Sequence, residues 1–83
     1  MNIELKLYAG LAPYLPAGAK DNKSLVDVPD GLSVRAVMDH FKLPLDQCHL
    51  VILNGVFVAP EARTTTTMKA GDTLALWPPV AGG

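Results

Sequence analysis

The chain closes on Gly82-Gly83, behind Pro78-Pro79, Val80 and Ala81. A carboxylate carried on two glycines has no Cβ to hinder attack. Its backbone also reaches φ values closed to other residues, so it can thread a narrow channel. The two prolines favour extended backbone and keep the tail from folding back. At about 3.3 Å per residue, residues 80–83 span roughly 13 Å. This reads as a tethered arm with its reactive group, the Gly83 carboxylate, at the tip.

No other group competes with it. His40 and His49 have no serine and carboxylate set around them, and they read as ordinary surface or strand-start histidines. Cys48-His49 lacks the further ligands that a metal site needs. Cys48 reads as a partly buried thiol at the start of a strand. The four threonines at 64–67 read as an extended polar connection, because hydroxyls without a base make no nucleophile. No phosphate-cradling glycine loop and no framed carboxylate pair is visible. The expectation is a chain that binds no metal and keeps no permanent cofactor.

Composition narrows the setting. Eighty-three residues make one small domain, and 49% apolar content suffices for a core. Seven basic residues against eight acidic ones, spread along the chain, give a net charge of −1. Nucleic-acid binding needs clustered lysine and arginine, so it is not expected. A single cysteine forms no internal disulfide and suits a reducing compartment. With no charged leader and no apolar run of spanning length, the expectation is a cytoplasmic protein without membrane contact.

The elements that must position the arm follow from periodicity. "NIELKLY" alternates, with Ile3, Leu5 and Leu7 on one side and Asn2, Glu4, Lys6 and Tyr8 on the other. "AGLAPYLPAGAKDN" suits a loop with one helical turn at residues 11–15. "KSLVDV" predicts a second strand, ended by the Pro29-Asp30-Gly31 turn. "LSVRAVMDHF" is the convincing helix, with an apolar stripe of Val34, Val37, Met38 and Phe41 and Ser33 as its N-cap. Leu32 and Val37 are placed to form a hydrophobic staple, and Pro44 bars continuation. "HLVILNGVFV" predicts a hairpin turning at Asn54-Gly55. "TLALW" predicts the last strand, ended by Pro78.

One helix covers one face of a sheet. Strand, strand, helix and three further strands, with the first and last strands parallel at the centre, predict an α+β β-grasp fold. The expected organisation is a domain of residues 1–79 with about five strands in a mixed sheet, followed by a flexible arm of residues 80–83. If Ile3, Leu5, Leu7, Leu74 and Leu76 face the helix, Tyr8 and Trp77 face away from it, side by side. If Val56 and Val58 face the core, Phe57 joins them. Aromatics left on an uncovered face mark a contact surface. The plainer alternatives are single exposed rings, or a small secondary core under the proline-rich loop.

"GDTLALWPPVAGG" resembles the C-terminal signature of the MoaD/ThiS family of ubiquitin-like sulfur carriers. The "PPVAGG" ending is more similar to the MoaD branch, the small subunit of molybdopterin synthase. The alternating first strand before Ala9-Gly10 and the "VILNGVFV" hairpin extend the likeness over nearly the whole chain. The helix is shorter than is common in that branch, Lys69-Ala70 precedes Gly71-Asp72, and Trp77 stands where phenylalanine is more familiar.

The resemblance implies that ATP on a MoeB-like adenylating partner activates the Gly83 carboxylate. A sulfur donor of cysteine desulfurase or rhodanese type then converts it to a thiocarboxylate. A MoaE-like large subunit of molybdopterin synthase receives the tail, and sulfur passes to the pterin that holds molybdenum or tungsten. Acid–base chemistry belongs to those partners; the chain alone is not catalytic. The docking positions implied are Tyr8, Phe57 and Trp77, with Pro78, Pro79, Val80, Ala81 and Gly82 leading to Gly83. Related alternatives are sulfur delivery to thiamin thiazole or to tRNA, and a ubiquitin-like modifier conjugated through Gly83.

Overall fold

The computed structural model describes residues 1–79; the arm expected at 80–83 lies outside the described residues. Five strands form one mixed sheet: β1 (Asn2–Leu7), β2 (Lys23–Asp27), β3 (Leu50–Leu53), β4 (Val56–Phe57) and β5 (Thr73–Trp77). Their spatial order is β2-β1-β5-β3-β4. β1 and β5 are parallel neighbours at the centre, with Leu5 opposite Leu74 and Leu7 opposite Leu76. The other pairings are antiparallel. This is the β-grasp arrangement that the alternation predicts.

Helix α1 (Val34–His40) covers one face of the sheet. Ser33 Oγ accepts the N–H of Ala36 at 3.0 Å, satisfying a donor that the first turn leaves open. Val34, Val37 and Met38 are buried in a cluster with Ile3, Leu5, Leu7, Val51, Leu74 and Leu76, and Leu32 and Phe41 pack against its margin. The helix ends ahead of Pro44, after two turns. Arg35 and Asp39, one turn apart on its outer side, form an ion pair at 3.2 Å.

Two loop readings change. The turn expected at 11–15 is a 3-10 helix over Ala9–Tyr14 that buries Leu11 in the core. The segment at 64–67 is not extended throughout. A 3-10 helix at Pro60–Ala62 runs into turns, and the hydroxyls of Thr65 and Thr66 both bond back to the Ala62 carbonyl. Threonine hydroxyls compete for nearby backbone in this way, which curls the segment. Only at Thr67 does it bridge, to Ser33. The Thr66 carbonyl accepts the N–H of Val34, so this stretch supports the start of α1.

The hairpin also differs in one side chain. Asn54 (φ 51°) and Gly55 (φ 84°) form the tight turn that requires positive φ at both positions. Val58 is buried as expected, but Val56 is 67% exposed. Val56 pairs with Leu53 on the core-facing side. It stands on the two-residue edge strand β4, at the margin of the sheet.

Candidate docking face

The face away from α1 can be read row by row from the register. Tyr8 continues β1 with extended backbone (φ −115°, ψ 157°), and its N–H donates to the Leu76 carbonyl at 3.2 Å. That bond keeps Tyr8 alongside β5. Its ring therefore stacks on Trp77, with centroids 4.5 Å apart and planes 4° from parallel. On the other side of Trp77 its antiparallel partner is Leu50, 37% exposed. The next row crosses the sheet from Lys6 through Ala75 and Ile52 to Phe57, which is 54% exposed.

Tyr8 and Trp77 are thus in contact. Phe57 shares their face but lies two strands away from Trp77, roughly 10 Å at the usual strand spacing. Leu50 and Ile52 lie between them and belong to the same patch. They escape notice in the sequence because an apolar run shows no alternation.

The end of β5 is fixed from behind. The N–H of His49 donates to the Trp77 carbonyl at 3.0 Å, the last bond before Pro78. The His49 carbonyl in turn accepts from Arg63 Nη2 at 3.3 Å, while Nη1 reaches the Cys48 carbonyl at 3.0 Å and Nε the Val58 carbonyl at 3.2 Å. Arg63 is buried, and its fork ties the entry to β3 to the exit from β4. Beyond this support Pro78 is buried and Pro79 exposed; Val80, Ala81, Gly82 and Gly83 lie outside the described residues.

The opposite end of β5 is locked by a second polar set. Asn54 Nδ2 donates to Asp72 Oδ1 at 2.9 Å, and Asn54 Oδ1 accepts the N–H of Thr73 at 2.8 Å. Asp72 Oδ2 accepts the N–H of Lys69 at 2.8 Å. The bond from Asn54, followed by that from Lys69, holds the Asp72 carboxyl below the usual carboxylate range. The asparagine of the hairpin and the aspartate of the Gly71-Asp72 turn are therefore one structural clasp.

The remaining reactive groups stand apart. Burial pushes the Cys48 thiol up against the opposing influence of Arg63, so it stays protonated and bonds weakly to the Pro44 carbonyl. It precedes β3, as a buried thiol near a strand start. His40 and His49 are exposed. Among the described residues no three metal-ligating side chains converge, no pocket opens, and no helix is long and apolar enough to cross a membrane.

A mixed β-grasp sheet with one helix on one face and an aromatic pair on the other defines a ubiquitin-like domain. The family model for ThiS matches residues 14–83, and the chain belongs to that family of ubiquitin-like sulfur carriers, which includes the MoaD-type proteins. Among solved structures it is similar to small archaeal modifier protein 1 of Haloferax volcanii, at 29% identity over 95% of this chain and 98% of that one, with a TM-score of 0.66. It is similar to the thiamine biosynthesis protein ThiS of Geobacter metallireducens, at 25% identity over 96% and 99% of the two chains, with a TM-score of 0.63. Subunit 1 in the complex of subunits 1 and 2 of the molybdopterin-converting factor of Helicobacter pylori shares the fold at 20% identity, covering both chains fully with a TM-score of 0.60. No curated protein sequence is a significant match.

Proposed function

We propose that the chain carries sulfur as a thiocarboxylate on Gly83 and delivers it, as the small subunit of a molybdopterin synthase, to the dithiolene of the molybdenum or tungsten pterin cofactor. The reading is supported chiefly by one observation: the half-buried Tyr8–Trp77 stack stands on the uncovered sheet face, one residue before Pro78-Pro79. Rigid aromatic surface of this kind anchors a protein partner at low entropic cost.

The Gly83 carboxylate attacks the α-phosphorus of ATP held by a MoeB-like partner; pyrophosphate leaves and a mixed anhydride forms. The terminal sulfur of a persulfide on a donor of desulfurase or rhodanese type then attacks the acyl carbon and AMP leaves; a thiol reduces the resulting acyl disulfide, releasing the thiocarboxylate and leaving a disulfide with the donor. One carboxylate oxygen has been exchanged for sulfur. The tail next enters a MoaE-like subunit, where the acyl–sulfur bond breaks and the carboxylate is regenerated by water. ATP is a substrate of the partner, and this chain contributes the arm, the sulfur and the docking face.

The likeness to small archaeal modifier protein 1 favours a second reading, in which Gly83 ends as an amide on a target lysine. Incubation with ATP, the adenylating partner and a sulfur donor separates the two. A mass gain matching one oxygen replaced by sulfur, followed by dithiolene formation with the large subunit, supports the synthase role. Isopeptide conjugates without sulfur transfer would replace it by the modifier reading.

A further inference from the structure

The open face is not uniformly apolar. Asp21 (φ 54°) and Asn22 (φ 63°) form a tight turn closed by reciprocal backbone bonds between Lys20 and Lys23, at 3.2 and 3.0 Å. The Asn22 side-chain amide donates to the Leu7 carbonyl at 3.0 Å and pins this turn to the end of β1. Such a turn sets its two flanking residues directly opposite each other. Lys23 also stands directly opposite Lys6 across β2 and β1. Opposed residues of an antiparallel pair project to one face. Lys20, Lys23 and Lys6 therefore form a row on the face that carries Tyr8, at the end of the sheet where β5 exits.

Like charges placed directly opposite destabilise a strand pair. The chain has eight acidic side chains, yet among the described residues one carboxylate is set against this row: Glu4 Oε1, 3.8 Å from Lys6 Nζ. Among the described residues Lys20 and Lys23 have no carboxylate within ion-pair distance. The repulsion has no compensation inside the described domain and is relieved by negative charge brought from outside. Three lysines on a chain of net charge −1 are few for a phosphate backbone, but they suit carboxylates on a protein.

We propose that the Lys20–Lys23–Lys6 row docks on an acidic strip of the adenylating partner, beside the apolar contact made by Tyr8 and Trp77. This rests on the carrier reading above. The row flanks the stack on the β2 side, and Phe57 flanks it on the β4 side. That asymmetry gives the face a direction. It accelerates encounter and sets the way round in which the carrier lands, and hence where the tail points.

The test is ATP–pyrophosphate exchange by the adenylating partner, with the carrier concentration varied at low and at high salt. The wild-type KM is expected to rise with salt. Lys23→Glu is expected to raise KM on the order of tenfold at low salt, leave kcat nearly unchanged and flatten the salt dependence. It is also expected to raise the melting temperature, because it converts two repulsive pairs into attractive ones. Lys42→Glu, on the helix side, is the control with the same charge change, and Lys20→Gln is a milder second variant. A KM and salt slope of Lys23→Glu equal to wild type would overturn the row while leaving the carrier reading intact. Absence of any exchange with wild type would remove the carrier reading and the row with it. Salt-sensitive binding of a single-stranded oligonucleotide, lost in Lys23→Glu, would overturn the proposal in favour of a phosphate site.

Discussion

The rings of Tyr8 and Trp77 lie parallel at 4.5 Å because β1 and β5, the first and last strands, run side by side in the same direction. Each residue sits one step beyond a buried leucine, Leu7 or Leu76, so pleating turns both rings to the uncovered face. The stack thus joins the C-terminal ends of β1 and β5, just ahead of Pro78-Pro79. Trp77→Ala is expected to weaken binding to the adenylating partner by about 1–3 kcal/mol with little change in melting temperature. Calorimetric titration checks this, and an unchanged Kd would remove Trp77 from the interface.

Trp77 is the single tryptophan of the chain, so its fluorescence reports on this face directly. Partner binding is expected to shift its emission to shorter wavelength as the half-exposed ring is covered. An unshifted spectrum at saturation would place the contact elsewhere.

Arg63 supports the face from inside. Arg63→Met removes a guanidinium that serves the carbonyls of Cys48, His49 and Val58 and leaves all three without that donor. The expected loss is about 2–4 kcal/mol in denaturant unfolding. Arg63→Lys should recover part of it, since one ammonium cannot reproduce the fork. A loss under about 0.5 kcal/mol would show the fork to be dispensable.

Much of this organisation is legible in the sequence, and the omissions have a common cause. Alternation in "NIELKLY" and "TLALW" places twelve residues on their faces, and Ser33, Asn54-Gly55 and Pro44 mark boundaries through local backbone chemistry. Each of those signals acts within a few residues. Arg63 is missed because its three acceptors come from segments distant in sequence, and nothing beside a threonine run announces burial. Val56 is misplaced because pleat parity says which side a residue faces but not whether anything covers it. The lysine row is hidden because it depends on the register of β1 against β2 and on an Asp-Asn turn where glycine is usual.

The clasp between Asn54 and Asp72 gives a pH-dependent prediction. The folded Asp72 carboxyl titrates below its unfolded value, so its contribution is fully present above the unfolded value, near 3.8. That contribution fades as pH falls through the lower, folded value. Asn54→Ala is expected to cost about 1–3 kcal/mol at neutral pH. The difference from wild type should shrink below about pH 3.8, where protonation weakens the same clasp. A difference that stays constant through that range would separate Asn54 from the titration of Asp72.

The proposed sulfur chemistry rests on Gly83. The most direct measurement is the intact mass of the chain after incubation with ATP, the adenylating partner and a sulfur donor, alongside a variant lacking Gly83. One oxygen exchanged for sulfur in the wild-type chain, located to Gly83 by fragmentation, is the expected result. The variant is expected to show no exchange and a melting temperature close to wild type. An unmodified wild-type mass under conditions where the partner adenylates it, or sulfur placed anywhere but Gly83, would rule out Gly83 as the sulfur carrier.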